Sequence, residues 1–169
     1  MTHKTFILPL LLILIFAMGC GNNIKTTPTN KENQTSNFDQ EKTAIIATLN
    51  DETKAAFQRD YESWKGKWVH DSTITKTYIN FPENSFTESI GWKEISSFVK
   101  TFIEEHPEPE PLPKLLNDVE VRLYGNGAWV SYEQQDSIRG LKRETRLMEK
   151  IDGQWRIAGM HTTIYGFQK

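Results

Sequence analysis

A single cysteine, Cys20, is the only thiol in this chain of 169 residues, so the chain cannot form an internal disulfide. Positive charge is not in excess either, because 20 lysine and arginine side chains stand against 22 acidic ones, for a formal net charge of −2. Nucleic-acid-binding domains carry a basic patch or stripe, and this sequence has neither. We therefore expect no DNA or RNA partner.

Three further absences narrow the chemistry. The longest apolar run, at 6–18, is too short for a membrane-spanning helix, which needs about 20 apolar residues. His70, His106 and His161 are too scattered for a metal site, and the sequence contains neither a glycine-rich phosphate loop nor a nucleophile elbow. We predict no metal, no cofactor and no catalytic residue.

The first feature that is present is the start of an exported protein. Lys4 precedes the apolar run, which ends at the small residue Gly19 immediately before Cys20. Residues 1–19 are therefore predicted to be a signal peptide. The small residues before Cys20 and the polar residues after it resemble the lipobox of bacterial lipoproteins.

The lipobox resemblance implies that Cys20 is acylated, for example with palmitate, and becomes the first residue of the mature chain. The protein would then be anchored in a lipid bilayer without spanning it. Its location would be the bacterial cell envelope, outside the cytoplasm. The alternative interpretation is a cleaved secretory signal followed by an incidental cysteine.

The remainder of the chain divides into a tether and a domain. Residues 20–37 are polar and almost free of large apolar groups, so we predict a flexible tether. Residues 38–169 have the length of a single domain with one core. Apolar residues recur at steps of three and four over 38–58, which predicts one long amphipathic helix. A short helix capped by Asp60 is expected next.

The domain then changes from mixed elements to consecutive strands. Residues 72–81 are rich in β-branched and aromatic side chains and predict a strand, and a third helix is expected after Gly91. From Val119 onward apolar residues alternate with polar ones, and turn signals such as Asp152-Gly153 separate the strands. Helices first and antiparallel strands last predict an α+β fold, with helices on one face of a curved antiparallel sheet.

This order of elements, ending in "DGQWRIAGMH" at 152–161, resembles the nuclear transport factor 2-like superfamily, which includes SnoaL-like proteins. "AWVSYEQ" at 128–134 and "ETRLMEKIDGQWRIAGMHTT" at 144–163 are most similar to the association domain of calcium/calmodulin-dependent kinase II. The resemblance implies a cone-shaped fold in which the curved sheet wraps around the long N-terminal helix, with two further helices and a pocket at the open end. It also implies a homodimer formed through the sheet.

The association-domain resemblance implies site residues as well. Arg146 matches a pocket arginine that helps to bind small carboxylates, so a small carboxylate or carbonyl compound is the expected ligand. Gln134 and Thr162 fall where that domain has two more arginines. His161 matches a histidine that recurs in the last strand of the superfamily. Trp68 and Trp92, near the ends of their elements, are candidates for the pocket rim.

The residues themselves leave other interpretations open. Arg146 would also be satisfied by a salt bridge on the outer face of the sheet. Its partner there would be Glu133, Glu144 or Glu149. His161 would serve equally as a structural residue bonded to the long helix, or as a proton-transfer group. Asp60 and Asp71, which resemble a catalytic carboxylate pair, are interpreted as a helix cap and a turn residue.

Three functional hypotheses follow. The leading one is a lipid-anchored envelope protein with a non-catalytic small-ligand-binding or assembly module. The first alternative is a SnoaL-like enzyme that performs isomerase-, cyclase- or dehydratase-type acid/base chemistry on a small hydrophobic substrate, through His161 and a nearby carboxylate. The second alternative is an oligomeric scaffold. A converging acid/base pair in a closed apolar pocket would favour the enzyme, and a broad apolar outer patch with a collapsed pocket would favour the scaffold.

Overall fold

The computed structural model describes residues 29–136 and 140–167. The predicted signal peptide at 1–19, Cys20 and the first part of the predicted tether lie outside these residues, so the lipid anchor stays a prediction. Among the helices of the described residues, none is both long and apolar enough to span a membrane.

Three helices and six strands make up the described part of the chain. In chain order they are α1 (Thr29–Phe57), α2 (Tyr61–Lys65), β1 (Thr75–Asn80), β2 (Ser85–Ile90), α3 (Trp92–Glu105), β3 (Glu120–Tyr124), β4 (Gly127–Asp136), β5 (Gly140–Ile151) and β6 (Gln154–Ile164). The α+β class predicted from the sequence is confirmed. The first helix starts within the predicted tether, nine residues before the apolar stripe that predicts it.

The six strands form one curved, open sheet in the order β2-β1-β6-β5-β4-β3. Strands β3 to β6 pair antiparallel with their chain neighbours, as the period-two pattern predicts. β1 instead pairs parallel with β6, which brings the middle of the chain beside its last strand. The turn at Asp152-Gly153 has φ angles of 52° and 77°, as a two-residue type I′ hairpin requires.

The core lies between the helices and one face of the sheet, called the inner face below. Ile45 and Leu49 on α1 are 0% and 1% exposed, and Trp64 on α2 is 1% exposed. They pack in one cluster with Met148 and Ile157 of the two central strands. The opposite face of the sheet, called the outer face, carries the alternate, more exposed positions of these strands.

Asp60 and Asp71 act as local caps. Asp60 Oδ1 accepts the backbone N–H of Ser63 at 3.0 Å and caps α2, as predicted. Asp71 Oδ1 accepts both the backbone N–H and the hydroxyl of Thr73 at 2.7 Å, in the turn before β1. These hydrogen bonds lower the pKa of both carboxyls. They account for the two aspartates without a catalytic role.

β2 is an edge strand that the sequence pattern does not reveal. Five of its six residues are exposed. The strand therefore lacks the alternation between a buried and an exposed face on which strand prediction relies. Phe86, the large apolar residue of this strand, is 64% exposed. Pairing with β1, rather than burial, holds β2 in the sheet.

Candidate ligand site on the inner face of the sheet

Arg146 and His161 lie on opposite faces of the sheet. The register pairs Arg146 with Met160 and Thr145 with His161, and directly opposed residues of an antiparallel pair share a face. Arg146 is 5% exposed and points to the inner face, whereas His161 is exposed on the outer face. The expectation that both line one pocket is therefore corrected: the inner face has Arg146 without the His161 side chain.

A β-bulge accounts for this correction. The hairpin that joins β5 to β6 starts in a register that would place His161 opposite Glu144, on the same face as Arg146. The register then shifts by one residue between Leu147 and Met148. The extra residue is on β6, so the β6 side chains beyond it change face while those of β5 keep theirs. The bulge thereby moves His161 to the outer face.

Glu144 is the anionic centre of a buried polar cluster on the inner face. Its Oε2 accepts from Arg146 Nη2 at 2.5 Å and from the Tyr132 hydroxyl at 3.3 Å, and its Oε1 accepts from Lys142 Nζ at 3.1 Å. The side chains of Glu144 and Arg146 are each 6% exposed. The salt bridge between Arg146 and Glu144 that the sequence allows thus exists, but on the inner face rather than the outer one.

The charge state of this cluster follows from burial and from the two cations. Desolvation disfavours the Glu144 carboxylate, but the charges of Arg146 and Lys142 outweigh it and lower the pKa of Glu144 to about 2. Desolvation also opposes the Arg146 cation, yet the charge of Glu144 keeps the pKa of Arg146 well above its usual value. Burial raises the pKa of the Tyr132 phenol. At neutral pH the cluster is therefore an ion pair of Glu144 and Arg146, and the protonated Tyr132 hydroxyl donates a hydrogen bond to Glu144.

Three buried atoms of this cluster have no hydrogen-bond partner among the described residues: Arg146 Nε, Arg146 Nη1 and Thr162 Oγ1. Thr162 lies opposite Glu144 in the register and one diagonal step from Arg146. Buried polar groups are normally hydrogen-bonded, because an unsatisfied one retains its full desolvation penalty. A molecule with acceptor oxygens between Arg146 and Thr162 would remove this penalty.

The helical wall of the site carries a second buried carboxylate, Glu52 on α1, which is 6% exposed. It accepts the indole N–H groups of Trp64 at 2.8 Å and of Trp68 at 3.3 Å. Its negative charge also helps to raise the pKa of Arg146, so α1, α2 and β5 meet at this point. Sequence reasoning missed Glu52, although a carboxylate three residues after Leu49 on the apolar stripe is a visible signal.

Two other expected pocket residues lie close to the cluster. Trp68 is 0% exposed and is connected to it through its hydrogen bond to Glu52. Gln134 is half-buried and lies opposite Lys142 in the register. It is two residues along β4 from Tyr132, on the same face. Together with Thr162 they share the inner side of the sheet with Arg146.

Trp92 lies farther away, at the start of α3. It is half-buried, and its ring stacks on His70 at 4.0 Å and against Trp64 at 5.8 Å. It therefore contacts the site through the aromatic side chains of α2. Its observed role is packing at the junction of α2 and α3.

Two surface clefts lie away from the Arg146 cluster. One, of about 410 Å³, runs along α3 past Phe98 and Phe102. The other, of about 300 Å³, lies between α1 and α2 beside Asp51 and Lys67. Their polar lining residues are exposed or half-buried, so the buried cluster is the better candidate site. In the described part of the chain, no group of three or more His, Cys, Asp or Glu side chains could hold a metal ion.

No protein-family model matches the sequence, and no curated protein sequence matches it. Solved structures do match. A protein of unknown function from Shewanella oneidensis, described as NTF-2-like, is 19% identical with a TM-score of 0.52, over 72% of this chain and 97% of that one. The chain has the nuclear transport factor 2-like fold.

Two further solved structures match the chain. A cystatin-like fold protein from Burkholderia xenovorans is 19% identical with a TM-score of 0.58, over 79% of this chain and 96% of that one. A protein of the NTF2-like family from Streptomyces avermitilis, provisionally described as a dehydratase, is 14% identical with a TM-score of 0.57, over 75% and 96% of the two chains. At these identities the comparisons show the fold alone. In this chain the Arg146 cluster lies on the side of the sheet that faces α1.

Proposed function

We propose that the inner face of this domain binds a small carboxylate or carbonyl ligand at Arg146 and catalyses no reaction on it. The observation that carries the proposal is a buried guanidinium with two nitrogen atoms, Nε and Nη1, that lack a partner among the described residues. Carboxylate and carbonyl oxygens are the natural acceptors for these donors. The unpartnered hydroxyl of Thr162, on the neighbouring strand, supplies a second contact.

Glu144 limits how tightly an anion binds at Arg146. The charge of Arg146 is already shared with this carboxylate, which would repel a second anion placed beside it. We therefore expect an affinity no tighter than micromolar, about −8 kcal/mol at its strongest. A neutral carbonyl oxygen would avoid the repulsion and still accept from Arg146.

The test is isothermal titration calorimetry of small carboxylates and carbonyl compounds against the full-length chain in detergent. Arg146→Lys keeps a cation beside Glu144 but loses Nε and Nη1, and Thr162→Val keeps the shape but loses the hydroxyl. Each substitution should weaken binding about ten-fold or more, the loss expected for a hydrogen bond to a charged or buried group. Arg143→Lys, on the outer face of the same strand, is the matched control and should leave binding unchanged. Absence of saturable binding by the wild type at millimolar ligand would contradict the proposal.

Membrane attachment through Cys20 is a second part of the proposal. Its support is the apolar run that ends immediately before Cys20 and the polar segment that follows. Cys20→Ser should abolish incorporation of labelled palmitate and release the chain from the membrane fraction of the bacterial envelope, or block its maturation. Unchanged fractionation of Cys20→Ser with membranes would rule out the anchor.

A homodimer through the outer face is the third part. Trp129 and Leu147 are 41% and 53% exposed and lie directly opposite each other on β4 and β5. Gly159 on β6 follows in the same row, and the Leu147 side chain lies against it, since a Cβ atom on Gly159 would come within 3.3 Å of Leu147 Cδ1. A second copy would bury these apolar groups. Leu147→Glu should turn a dimer into a monomer in analytical ultracentrifugation, and a monomeric wild type would contradict the dimer.

Acid/base catalysis is the second candidate function. It is supported by the provisional description of a structural neighbour as a dehydratase and by the buried carboxylate of Glu52. His161 faces away from the inner site, so the proton-transfer group there would be Glu52 rather than a histidine. Conversion of a bound carbonyl compound by the wild type, lost in Glu52→Gln while binding persists, would favour the enzyme over the binding module.

A further inference from the structure

Lys76 is a second buried cation of the inner face. It is 8% exposed and lies on β1. Its Nζ is 5.8 Å, 5.6 Å and 5.2 Å from the ring centres of Trp64, Tyr78 and Phe98. Within the described residues, no carboxylate forms a salt bridge with Lys76. The rings attract the ammonium group, but they do not neutralise it.

Lys76 and Arg146 stand on either side of Met160 in one row across the sheet. The register pairs Lys76 with Met160 on β6, and Met160 with Arg146 on β5. Neighbouring strands are about 4.8 Å apart, so the two backbones are roughly 10 Å apart and one small molecule could contact the ends of both long side chains. Tyr78 lies near both cations, because its ring is close to Lys76 Nζ and its phenol contributes to the raised pKa of Arg146.

The charges of this region differ at its two ends. At the Arg146 end, Glu144 already accepts from both Lys142 and Arg146. The Glu52 carboxylate accepts from two indoles and makes no salt bridge to Lys76 in the described part of the chain. The Lys76 end therefore has a buried positive charge without an anion, which is an expensive arrangement. A carboxylate is favoured at Lys76, and a neutral acceptor is favoured at Arg146.

We infer that the ligand is a small oxo acid that spans the row, with its carboxylate on Lys76 and its neutral carbonyl oxygen on Arg146 and Thr162. The inference rests on the proposed ligand site at Arg146 and assigns the two ends of the ligand. A ligand with one negative charge suits the Lys76 end, because Lys76 makes no salt bridge in the described residues, whereas Arg146 and Lys142 share the carboxylate of Glu144.

The experiment compares four probes that differ by one group at a time. 4-Oxopentanoate carries both groups, 2-pentanone lacks the carboxylate, pentanoate lacks the carbonyl, and succinate carries a second carboxylate in place of the methyl ketone. Calorimetry on the full-length wild type in detergent should show 4-oxopentanoate binding about ten-fold tighter than each of the others, which corresponds to about 1.4 kcal/mol per contact. A series from pyruvate to 5-oxohexanoate would then locate the best chain length.

Substitution of Lys76 separates this inference from the proposed site itself. Lys76→Met should bring 4-oxopentanoate down to the affinity of 2-pentanone while leaving 2-pentanone unchanged, and Lys76→Arg should restore most of the difference. Lys100→Met is the matched control, because Lys100 Nζ also lies over a ring, 4.9 Å from the centre of Tyr61, but on α3. Circular dichroism of each variant checks the fold.

Three outcomes would overturn the inference. If succinate binds as tightly as 4-oxopentanoate, the charge assignment at Arg146 is wrong. If the preference over 2-pentanone survives in Lys76→Met, or is absent in the wild type while Arg146→Lys still abolishes binding, Lys76 is not a ligand contact and the site at Arg146 stands alone. If no probe binds the wild type, this inference and the proposed function fail together.

Discussion

On the inner face of β5, Arg146 and Glu144 form an ion pair whose side chains are each 6% exposed, whereas on the outer face Arg143 and Glu133 form one at 53% and 28% exposure. The two arginines lie three positions apart on β5, and each pairs with a glutamate, Glu144 on the same strand and Glu133 on β4. The solvated pair contributes at most about 1 kcal/mol, because water already stabilises both charges. The desolvated pair is costly to break, because the remaining charge stays buried. The face of the strand, rather than the residue type, decides which charges matter for stability and for binding.

The tryptophans of the two faces give the largest expected contrast. Trp155 is 5% exposed, and its indole N–H donates to Glu41 Oε2 at 2.7 Å, whereas Trp129 is 41% exposed on the outer face. Trp155→Ala should lower the free energy of unfolding by about 3–5 kcal/mol, as deletion of a buried aromatic does, and Trp129→Ala by about 1 kcal/mol or less. Urea unfolding followed by circular dichroism measures both. A loss in Trp129→Ala that grows with protein concentration would show that a dimer buries the outer face.

The arginines give the next contrast. Arg146→Met leaves Glu144 buried with Lys142 as its remaining cation, so we expect a loss of about 3 kcal/mol in unfolding free energy. Arg143→Met removes a solvated pair and should cost less than about 1 kcal/mol. The double variant Glu144→Gln/Arg146→Met removes both buried charges and should recover part of the loss. Equal losses for the two single arginine variants would mean that the faces do not differ in the way the structure shows.

The two faces should also differ in how much stability they lose in acid. The pKa of Glu144 is lowered to about 2 in the folded chain from its ordinary value of 4.5, so the unfolded chain takes up the proton first as the pH falls. The stability contributed by Glu144 is therefore full above about pH 5 and is lost between about pH 4.5 and about pH 2. Its size is on the order of 3 kcal/mol.

Unfolding titrations at several pH values, on wild type, Glu144→Gln and Glu133→Gln, measure this loss. Glu144→Gln should be less stable at neutral pH and show a shallower decline in acid. Glu133→Gln, on the outer face, should keep the slope of the wild type. An unchanged slope in Glu144→Gln would mean that the carboxyl is not the titrating group.

Local chemistry made much of the fold predictable from the sequence. The apolar stripe of α1, the Asp60 cap, the Asp152-Gly153 turn and the alternation in the last strands each act over a few residues, and each appears in the structure. The parallel pairing of β1 with β6 joins residues 84 positions apart in the chain and has no local signal.

The site was less predictable, because the facing of His161 depends on one bulge. The extra residue is Ala158 on β6, and Gly159 beside it is the one local signal, but a single glycine in an alternating strand does not say by itself that the register shifts there. Glu52 and Lys76 had better signals: each is a charged residue at a position where its helix or strand buries its neighbours. A charged residue inside an apolar pattern is therefore the more useful indicator of a site in this chain.

The smallest effect expected is also the most specific to the proposed site. Thr162 Oγ1 is buried without a partner among the described residues, and such a hydroxyl destabilises the ligand-free protein by about 1–3 kcal/mol. Thr162→Val keeps the shape and removes the hydroxyl, so the ligand-free protein should become more stable by about 1 kcal/mol while the ligand binds more weakly. Thr163→Val, half-buried on the outer face of the same strand, should change the unfolding free energy by about 0.5 kcal/mol or less and leave binding intact. Thermal and urea unfolding, with and without ligand, separate the two effects. If Thr162→Val destabilises the ligand-free protein by about 1 kcal/mol or more, the hydroxyl has a permanent partner such as a bound water and is not kept free for a ligand.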